Sequence, residues 1–368
     1  MKVMCQKSTL LSAINNVSRA VASNSTMDLL ECILIESIDD DRIRLTANDT
    51  ELGIETKIES QVLIPGKIAL KARLFSDMIK KLPDSEVMIE SDDLGKTFIN
   101  CEHVHFTLMG LAGDDFTRLP DISRDRLVKI SQFDLKEVIR QTIFSASVNA
   151  NNKVMTGELF HIEDNVLTVT ALDGHRIAVR KLLLSASYEP VEVIVPGKTL
   201  SEIMKILPGE ADRMVNIFIT DRHILFEMDE TIVVSRLLQG KFYDLGKMIS
   251  ADFETRVTVN KIAFLQCLDR ATLFTTDSEK RPIILQIEDD VMNMRINSPI
   301  GQMNDKLDIG REGKEIRIGF DPKFLVDVLR VVDEEDISLY MMNPIAPCII
   351  KNDEESYFYL ILPINVNN

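Results

Sequence analysis

The chain repeats one pattern of secondary structure three times, and this repeat constrains the fold more than any other feature of the sequence. Each copy carries an amphipathic helix, an apolar strand that ends in Ile-Glu, an acidic turn before an alternating strand, and a second helix. Lysines at the start of the second helices, Lys71, Lys198 and Lys323, are separated by 127 and 125 residues. Coincidence would not preserve both order and spacing. The sequence therefore predicts three copies of one α+β unit.

Each copy is expected to pack its two helices on antiparallel sheets, because the strands alternate apolar and polar residues. The first helices are expected within 8–22, 133–147 and 260–274, and the second within 71–82, 198–207 and 322–332. Acidic hairpin turns are expected at 39–41, 163–165 and 289–290. Short polar stretches between the copies predict domains at 1–122, 128–249 and 253–368.

Composition indicates a globular protein of the reducing cytoplasm. Of its 368 residues, 45% are hydrophobic and 27% charged, and the longest apolar run, 358–362, is too short to cross a bilayer. The first residues lack the apolar core of a signal peptide. Five scattered cysteines with no CxxC pair favour buried, reduced thiols over disulfides. We therefore expect a cytoplasmic protein with no membrane partner.

The net charge of −16 is unevenly distributed along the chain. A strongly acidic protein does not ordinarily bind nucleic acid. However, the six predicted helices hold thirteen basic and seven acidic residues, a net +6, so the rest of the chain carries −22. If these helices shared one surface, it would attract phosphates without reading bases. Alternatively, the helices expose solvated charges, as most helices do.

Several motifs resemble the bacterial sliding clamp family, the β subunit of DNA polymerase III. The resemblance is carried by 167–179 (LTVTALDGHRIAV), 193–198 (VIVPGK), 112–120 (AGDDFTRLP) and 359–364 (YLILPI). It covers the whole chain and includes the threefold repeat.

The resemblance implies a head-to-tail homodimer, in which six similar domains close a ring around duplex DNA and slide on it without sequence preference. The protein would be a DNA polymerase processivity factor with no catalytic residue, metal or cofactor. The residues expected to face DNA are Arg19, Asn24, Lys71, Arg73, Lys80, Lys81, Lys136, Arg140, Asn149, Lys153, Lys198 and Lys205.

The resemblance also implies an apolar pocket that captures short linear peptides from the replicative polymerase, the clamp loader, and repair and mismatch-repair proteins. Methionine and leucine walls would adapt to different peptides, and Arg176 or Lys247 could hold a peptide carbonyl or carboxylate. The expected lining is Met155, Leu172, Gly174, His175, Arg176, Ile177, Phe242, Tyr243, Lys247, Met248, Phe324, Leu360, Leu362, Pro363 and Ile364. The dimer contact is expected to join Phe106 and Leu108 of one copy to Leu273 and Phe274 of the other.

The motifs that could indicate an enzyme are weak. Asp173 and His175 lie side by side on a strand with no nucleophile in sight. The segment 197–199 (GKT) resembles a phosphate loop, but Glu192 stands where that loop requires glycine. Cys101, His103 and His105 alternate along one strand face without a fourth zinc ligand.

Two functions of other classes stay open. A metal-dependent nuclease or polymerase accessory enzyme would have an acidic cluster in only one repeat, whereas the acidic turns recur in all three. A threefold-repeat scaffold that never meets DNA would not need basic residues sorted onto its helices.

Overall fold

The computed structural model describes residues 1–23, 25–149, 151–245, 252–275 and 281–366. Its contacts divide the chain into two compact units. Unit 1 contains Met1–Phe133 and Lys205–Leu237, and unit 2 contains Asp134–Met204 and Leu238–Asn368. No helix in the described part of the chain is long and apolar enough to span a membrane.

The α-helices of the described residues occur twice in each repeat, where the sequence predicts them. They are α1 (Lys7–Val17), α2 (Ala72–Lys81), α3 (Gln132–Arg140), α4 (Gly197–Ile206), α5 (Lys261–Thr272) and α6 (Pro322–Leu329).

The first helix of the second repeat ends earlier than expected. The sequence predicts a helix within 133–147, but α3 ends at Arg140 and a 3-10 turn follows at Ile143–Ser145. Near this end, the hydroxyl of the β-branched Thr142 donates to the Val138 carbonyl at 2.8 Å. Such side-chain bonds compete with the backbone pattern of a helix.

The strands account for most of the remaining structure. They are β1 (Lys2–Gln6), β2 (Cys32–Ser37), β3 (Arg42–Asn48), β4 (Leu52–Glu59), β5 (Gln61–Ile64), β6 (Lys67–Lys71), β7 (Glu86–Ser91), β8 (Lys96–Cys101), β9 (Val104–Met109), β10 (Leu111–Ala112), β11 (Leu127–Ser131), β12 (Gly157–Leu172), β13 (Arg176–Pro196), β14 (Met214–Ile219), β15 (His223–Met228), β16 (Thr231–Arg236), β17 (Thr255–Asn260), β18 (Ile283–Glu288), β19 (Val291–Ser298), β20 (Gly301–Asp308), β21 (Gly310–Gly313), β22 (Ile316–Phe320), β23 (Asp336–Met341), β24 (Cys348–Lys351) and β25 (Tyr357–Ile361).

Four antiparallel sheets organise these strands. Unit 1 contains a five-stranded sheet of order β5-β1-β7-β8-β9 and a nine-stranded sheet of order β10-β6-β2-β3-β4-β16-β15-β14-β11. Unit 2 contains a seven-stranded sheet of order β12-β13-β25-β24-β23-β17-β21 and a four-stranded sheet of order β20-β19-β18-β22.

One kind of joint connects consecutive repeats. In unit 1, β4 of the first repeat pairs with β16, the final strand of the second, with Ile54 opposite Val233. In unit 2, β13 of the second repeat pairs with β25, the final strand of the third, with Ala178 opposite Tyr359. The sheet of one repeat thus continues into the sheet of the next. The corresponding strands that remain, β9 and β20, each end a sheet.

Two of the acidic segments predicted as hairpin turns contain a residue with left-handed backbone, but the segment at 163–165 does not separate two strands as the sequence predicts. Asp289, between β18 and β19, has φ of 49°, in the left-handed region that tight hairpin turns require. Asp164 has φ of 52° and lies within β12, where the pairing register with β13 shifts on both sides.

The helices pack one apolar face against the sheets, as their spacing predicts. In α5, Phe264, Cys267 and Leu268 are fully buried, and Asn260 caps the helix by accepting a hydrogen bond from the Ala263 amide. All five cysteines are buried and unpaired, as the sequence predicts.

One carboxyl group is buried in unit 2 without a partner. Glu158 on β12 is fully buried, and neither of its carboxyl oxygens has a hydrogen-bond partner among the described residues. Burial raises the pKa of Glu158 to about 8, and the nearby Thr142 offsets part of this rise. Because the charged form is disfavoured in the interior, Glu158 binds a proton on folding.

We expect Glu158→Gln to remove a pH dependence of stability. The pKa of Glu158 rises from 4.5 to about 8 in the folded protein, so the wild type loses stability as pH increases between these values. The slope is about 1.4 kcal/mol per pH unit. Glutamine cannot ionise, so the variant should match the wild type near the lower value and exceed it increasingly toward the higher one. Chemical unfolding across this range measures the difference, and parallel curves would show that Glu158 titrates normally. Glu163→Gln, at an exposed position of the same strand, is the matched control.

Candidate functional site

An apolar pocket of about 250 Å³ lies in unit 2, where the turn between β12 and β13 meets β25. It therefore forms at the joint between the second and third repeats. Its walls are Met155, Leu172, Gly174, His175, Arg176, Ile177, Tyr243, Pro347, Leu360 and Leu362.

The turn on one side of the pocket is fixed by Asp173. Its Oδ1 accepts hydrogen bonds from the backbone amides of His175 and Arg176, at 2.9 and 3.1 Å. Gly174 between them has φ of 90°, a conformation that costs glycine little. The His175 ring stacks on Phe324, with centroids 6.0 Å apart. Asp173 thus orders the turn and holds Arg176.

Arg176 connects this turn to α6. Its Nε donates to Asp173 at 3.0 Å, its Nη1 to Asp327 at 2.5 Å, and its Nη2 to the Phe144 carbonyl. The guanidinium also lies 4.6 Å from the centroid of the Phe324 ring. The side chain is only 12% exposed. Since all three nitrogens have partners, Arg176 holds the pocket wall in place in this structure.

Tyr243 contributes an apolar ring to the lining, and its hydroxyl has a polar contact. The Tyr243 hydroxyl accepts a hydrogen bond from Asn152 at 2.6 Å, and its ring meets Phe242 edge-on at 6.3 Å. Phe242, which is outside the lining, packs in one cluster with the wall residues Leu172, Ile177 and Leu360. Leu362 remains 39% exposed at the rim. The pocket therefore combines packed apolar walls with an accessible apolar rim.

The pocket contains nine of the fifteen residues that the sequence places there. Phe242 and Phe324 support it from behind, whereas Pro363 and Ile364 lie outside its lining, and the Ile364 amide instead donates to Gly319 at 2.8 Å. Lys247 and Met248 lie outside the described residues. Pro347, which precedes β24, is a lining residue that the sequence did not indicate, because only the pairing of β24 with β25 brings it there.

Comparison with protein families identifies all three repeats. The N-terminal, central and C-terminal domain models of the DNA polymerase III beta subunit match residues 1–120, 129–244 and 247–365. The chain belongs to the DNA polymerase III beta subunit family.

Relatives in this family match the chain along its full length. The beta sliding clamp of Halalkalibacterium halodurans is 34% identical over 366 residues, covering 95% of this chain and 96% of that protein. The crystal structure of the Bacillus subtilis sliding clamp is 33% identical, covers 100% of this chain and 99% of that one, and has a TM-score of 0.96. A structure from Eubacterium rectale, provisionally assigned as the same subunit, is 52% identical with complete coverage of both chains and a TM-score of 0.96.

These findings confirm the predicted fold class and function. The chain has an α+β fold of three clamp domains, and its function is that of a DNA polymerase sliding clamp.

Where the structure describes them, the residues expected to face DNA lie on helices, on 3-10 turns, at the end of a strand or in a loop, and some of them form ion pairs. Lys71 binds Asp28 and Glu31 at 2.7 and 3.1 Å, and Arg140 binds Glu137 at 2.6 Å. These two cations are therefore partly neutralised within their own units. Arg19 and Lys136 are half-buried, and Asn24 lies outside the described residues; exposed are Arg73, Lys80, Lys81, Asn149, Lys153, Lys198 and Lys205.

The residues expected at the dimer contact lie beside the two sheet ends. Phe106 is half-buried on β9, and Leu108 is 7% exposed within its own unit. Leu273 follows α5 and is 72% exposed. Phe274 packs against Gly301 at the start of β20, where an added Cβ would lie 3.1 Å from its ring.

Asp173 and His175, considered above as a catalytic pair, make structural contacts, and the His175 ring stacks on Phe324. The Asp173 carboxylate binds Arg176 and backbone amides. Within the described residues, no three His, Cys, Asp or Glu side chains are placed to hold a metal ion.

Proposed function

We propose that two copies of this chain close head to tail into a ring, which encircles duplex DNA and tethers replication and repair proteins as a non-catalytic processivity factor. The observation that carries the proposal is the joint between repeats, which recurs twice within the chain and leaves β9 and β20 at sheet ends. The same rule requires the third repeat to meet a first repeat, and a second copy supplies one.

Edge strands favour this closure. Among the described strands, β9 and β20 each pair with a neighbour on one side only, and such edges are normally paired, covered or blocked by charge. Pairing β20 of one copy with β9 of the other would satisfy both edges. Because the contact is heterologous, its repetition must close after a whole number of copies to avoid a filament. Two copies give six repeats, which is the closure that the resemblance implies.

The internal joints also specify the register of this contact. Ile54 and Ala178 each pair with the final strand of the next repeat. Within their own hairpins, Ile54 lies opposite Ala47 and Ala178 lies opposite Ala171. Met303, opposite Ile296, occupies the same position in the third repeat. In the final hairpin of the first repeat, Phe106 lies opposite Ile99. It corresponds to Val233 in the final hairpin of the second repeat and to Tyr359 in that of the third. Met303 of one copy should therefore face Phe106 of the other, and Asn304 should face His105.

We expect a chain carrying His105→Cys and Asn304→Cys to form disulfide-linked dimers on mild oxidation, because directly opposed residues approach closely enough for a disulfide. Non-reducing electrophoresis measures the linked fraction. The control pair, His105→Cys with Lys306→Cys, is displaced by two residues and should link several-fold more slowly. Equal linking of both pairs would contradict the register, whereas a monomer by mass measurement would contradict the dimer.

DNA contact in such a ring need not be strong. The exposed cations on α2 are Arg73, Lys80 and Lys81, whereas Lys71 beside them is ion-paired. Contacts to phosphates carry no sequence information, and a closed ring retains DNA by topology even when each contact is weak. This accounts for a DNA partner of a protein with a net charge of −16.

Topological binding predicts a difference between circular and linear DNA. After loading onto nicked plasmid by a clamp loader with ATP, we expect the protein to survive a high-salt wash on circles and to be lost after the plasmid is cut once. Gel filtration of labelled protein with the plasmid measures retention. Equal loss from both forms would mean that binding is electrostatic only, because salt weakens phosphate contacts wherever the ends lie.

The apolar pocket of unit 2 would serve as the recruitment site. Its apolar walls and exposed rim suit a short peptide with apolar side chains, and Met155 can adapt to different partners. The partners are the replicative polymerase, the clamp loader and repair proteins. The proposed domain limits, 1–122, 128–249 and 253–368, are supported by the ranges of the family models and place this pocket at a domain junction.

We expect Leu362→Ala to weaken peptide capture about tenfold, since truncating an apolar contact residue removes roughly 1–2 kcal/mol of binding free energy. Fluorescence anisotropy with a labelled peptide from the polymerase of the same organism measures the affinity. Leu94→Ala, at a leucine that is 84% exposed in unit 1, should bind as the wild type does. An unchanged affinity in Leu362→Ala would move the recruitment site elsewhere.

A further inference from the structure

In the joint of unit 2, a helix of the third repeat supports the turn of the second. The His175 ring, in the turn between β12 and β13, stacks on the Phe324 ring of α6 with centroids 6.0 Å apart. Arg176, the next residue, binds Asp327 on the same helix at 2.5 Å. The Leu362 amide, directly after β25, donates to the His175 carbonyl at 2.9 Å. His175 thus contacts both a helix and the final strand of the third repeat.

The first repeat has an exposed leucine at the position of Phe324. Leu74 is the third residue of α2, as Phe324 is the third residue of α6. Each helix begins four residues after an isoleucine, Ile68 or Ile318, that pairs with the corresponding core strand, β2 or β18. Leu74 is 49% exposed. The first repeat therefore presents an apolar side chain where the third repeat supports a turn.

The third repeat has an exposed isoleucine at the position of His175. Ala171 and Ile296 hold the same position in their hairpins, and His175 and Ile300 each follow four residues later. Ile300 lies in the turn between β19 and β20 and is 72% exposed. The turn that would meet a second copy therefore also presents an apolar side chain.

The register expected for the ring adds a third exposed apolar residue. Met303 of one copy should face Phe106 of the other in antiparallel pairing. Ile300, three residues before Met303, should then face Met109, three residues after Phe106. Met109 is 64% exposed, and it holds the position that Leu362 holds in unit 2. Ile300 would thus meet both a helix and the final strand of the other copy, as His175 does within unit 2.

The repeat itself does not require apolar residues at these positions. In the first repeat the turn carries Glu51, four residues after Ala47, and in the second repeat the third residue of α4 is Thr199. Gly301 follows Ile300 where Arg176 follows His175, so the cation of unit 2 has no counterpart there. Exposed apolar side chains that come together only when a second copy is present indicate an interface.

We propose that Ile300 of one copy packs between Leu74 and Met109 of the other, and that this apolar contact replaces the ring stack and ion pair of unit 2 where the ring closes. The contact rests on the proposed function, in which two copies pair head to tail. Its partner is a second copy, because α2 and β9 belong to the first repeat and the pairing rule brings that repeat against the third. The contact contains no charge for salt to screen.

A double-mutant cycle on the full-length protein tests the contact. Leu74→Ala and Ile300→Ala should each raise the dimer dissociation constant about thirtyfold, because each truncation acts at both closures of the ring. Since residues in contact are not additive, the double variant should be weakened at least about fivefold less than the product of the single effects. Ile300→Ala should couple in the same way to Met109→Ala. Two-colour fluorescence coincidence from picomolar to micromolar protein measures the dimer fraction.

Matched controls use leucines of similar exposure outside the contact. Leu63 on β5 is 46% exposed, and Leu183 on β13 is 76% exposed. Leu63→Ala and Leu183→Ala should dimerise as the wild type does, and Leu183→Ala should add to Leu74→Ala without coupling. The circular dichroism of every variant should match the wild type, because the substituted side chains are exposed in the single chain.

The outcomes separate the contact from the ring. A dimeric wild type whose dissociation constant is unchanged by Leu74→Ala or by Ile300→Ala would overturn the contact and leave the ring intact. Strictly additive effects of the two substitutions would also overturn it, because they would show that the side chains do not touch. A wild type that remains monomeric at micromolar concentration would overturn the ring, and the contact with it.

Discussion

Pairing of strand edges between repeats is the constraint on which the rest of the structure depends. A repeat with an open sheet edge exposes backbone donors and acceptors along its length, and these groups require partners. The chain meets this requirement twice by the same pairing, β4 with β16 and β13 with β25. The buried contact between the Thr56 and Thr231 hydroxyls, at 3.0 Å, lies in the first of these joints. A third joint of the same kind would satisfy the edges of β9 and β20, and this requirement links the fold to assembly.

The same joints produce the sites. Each joint brings a tight turn against the final strand of the next repeat, so a groove forms as a consequence of the pairing. In unit 2, leucines at positions 172 and 362 make the groove apolar, and the Arg176 network ties it to α6. In unit 1, Asn48 and Arg236 occupy the equivalent positions and make it polar. The same strand pairing therefore forms an apolar pocket at one joint and a polar groove at the other, and their side chains distinguish them.

The distribution of charged residues is independent of the strand pairing. Basic residues are concentrated on the helices of an acidic chain, but the structure neutralises some of them locally, as at Lys71 and Arg140. Surface ion pairs of this kind contribute little to stability, whereas they lower the charge available to phosphates. A clamp that holds DNA by closure tolerates this reduction, because weak contacts allow it to slide.

The sequence by itself determined the threefold repeat, the α+β class, the positions of the helices and most of the apolar pocket. The repeat, the fold class and the helices follow from local periodicity, whereas the pocket lining was implied by the resemblance of motifs such as 172–177 to the sliding clamp family. Tertiary structure alone decided that Arg176 binds Asp327, that Pro347 lines the pocket while Pro363 does not, and that Glu158 is buried with no hydrogen-bond partner among the described residues. Tertiary structure also decided that Arg236 lines a groove in unit 1. The physical reason is that strand register and long-range ion pairs join residues far apart in the chain, and periodicity within one segment carries no information about which distant strand lies opposite it.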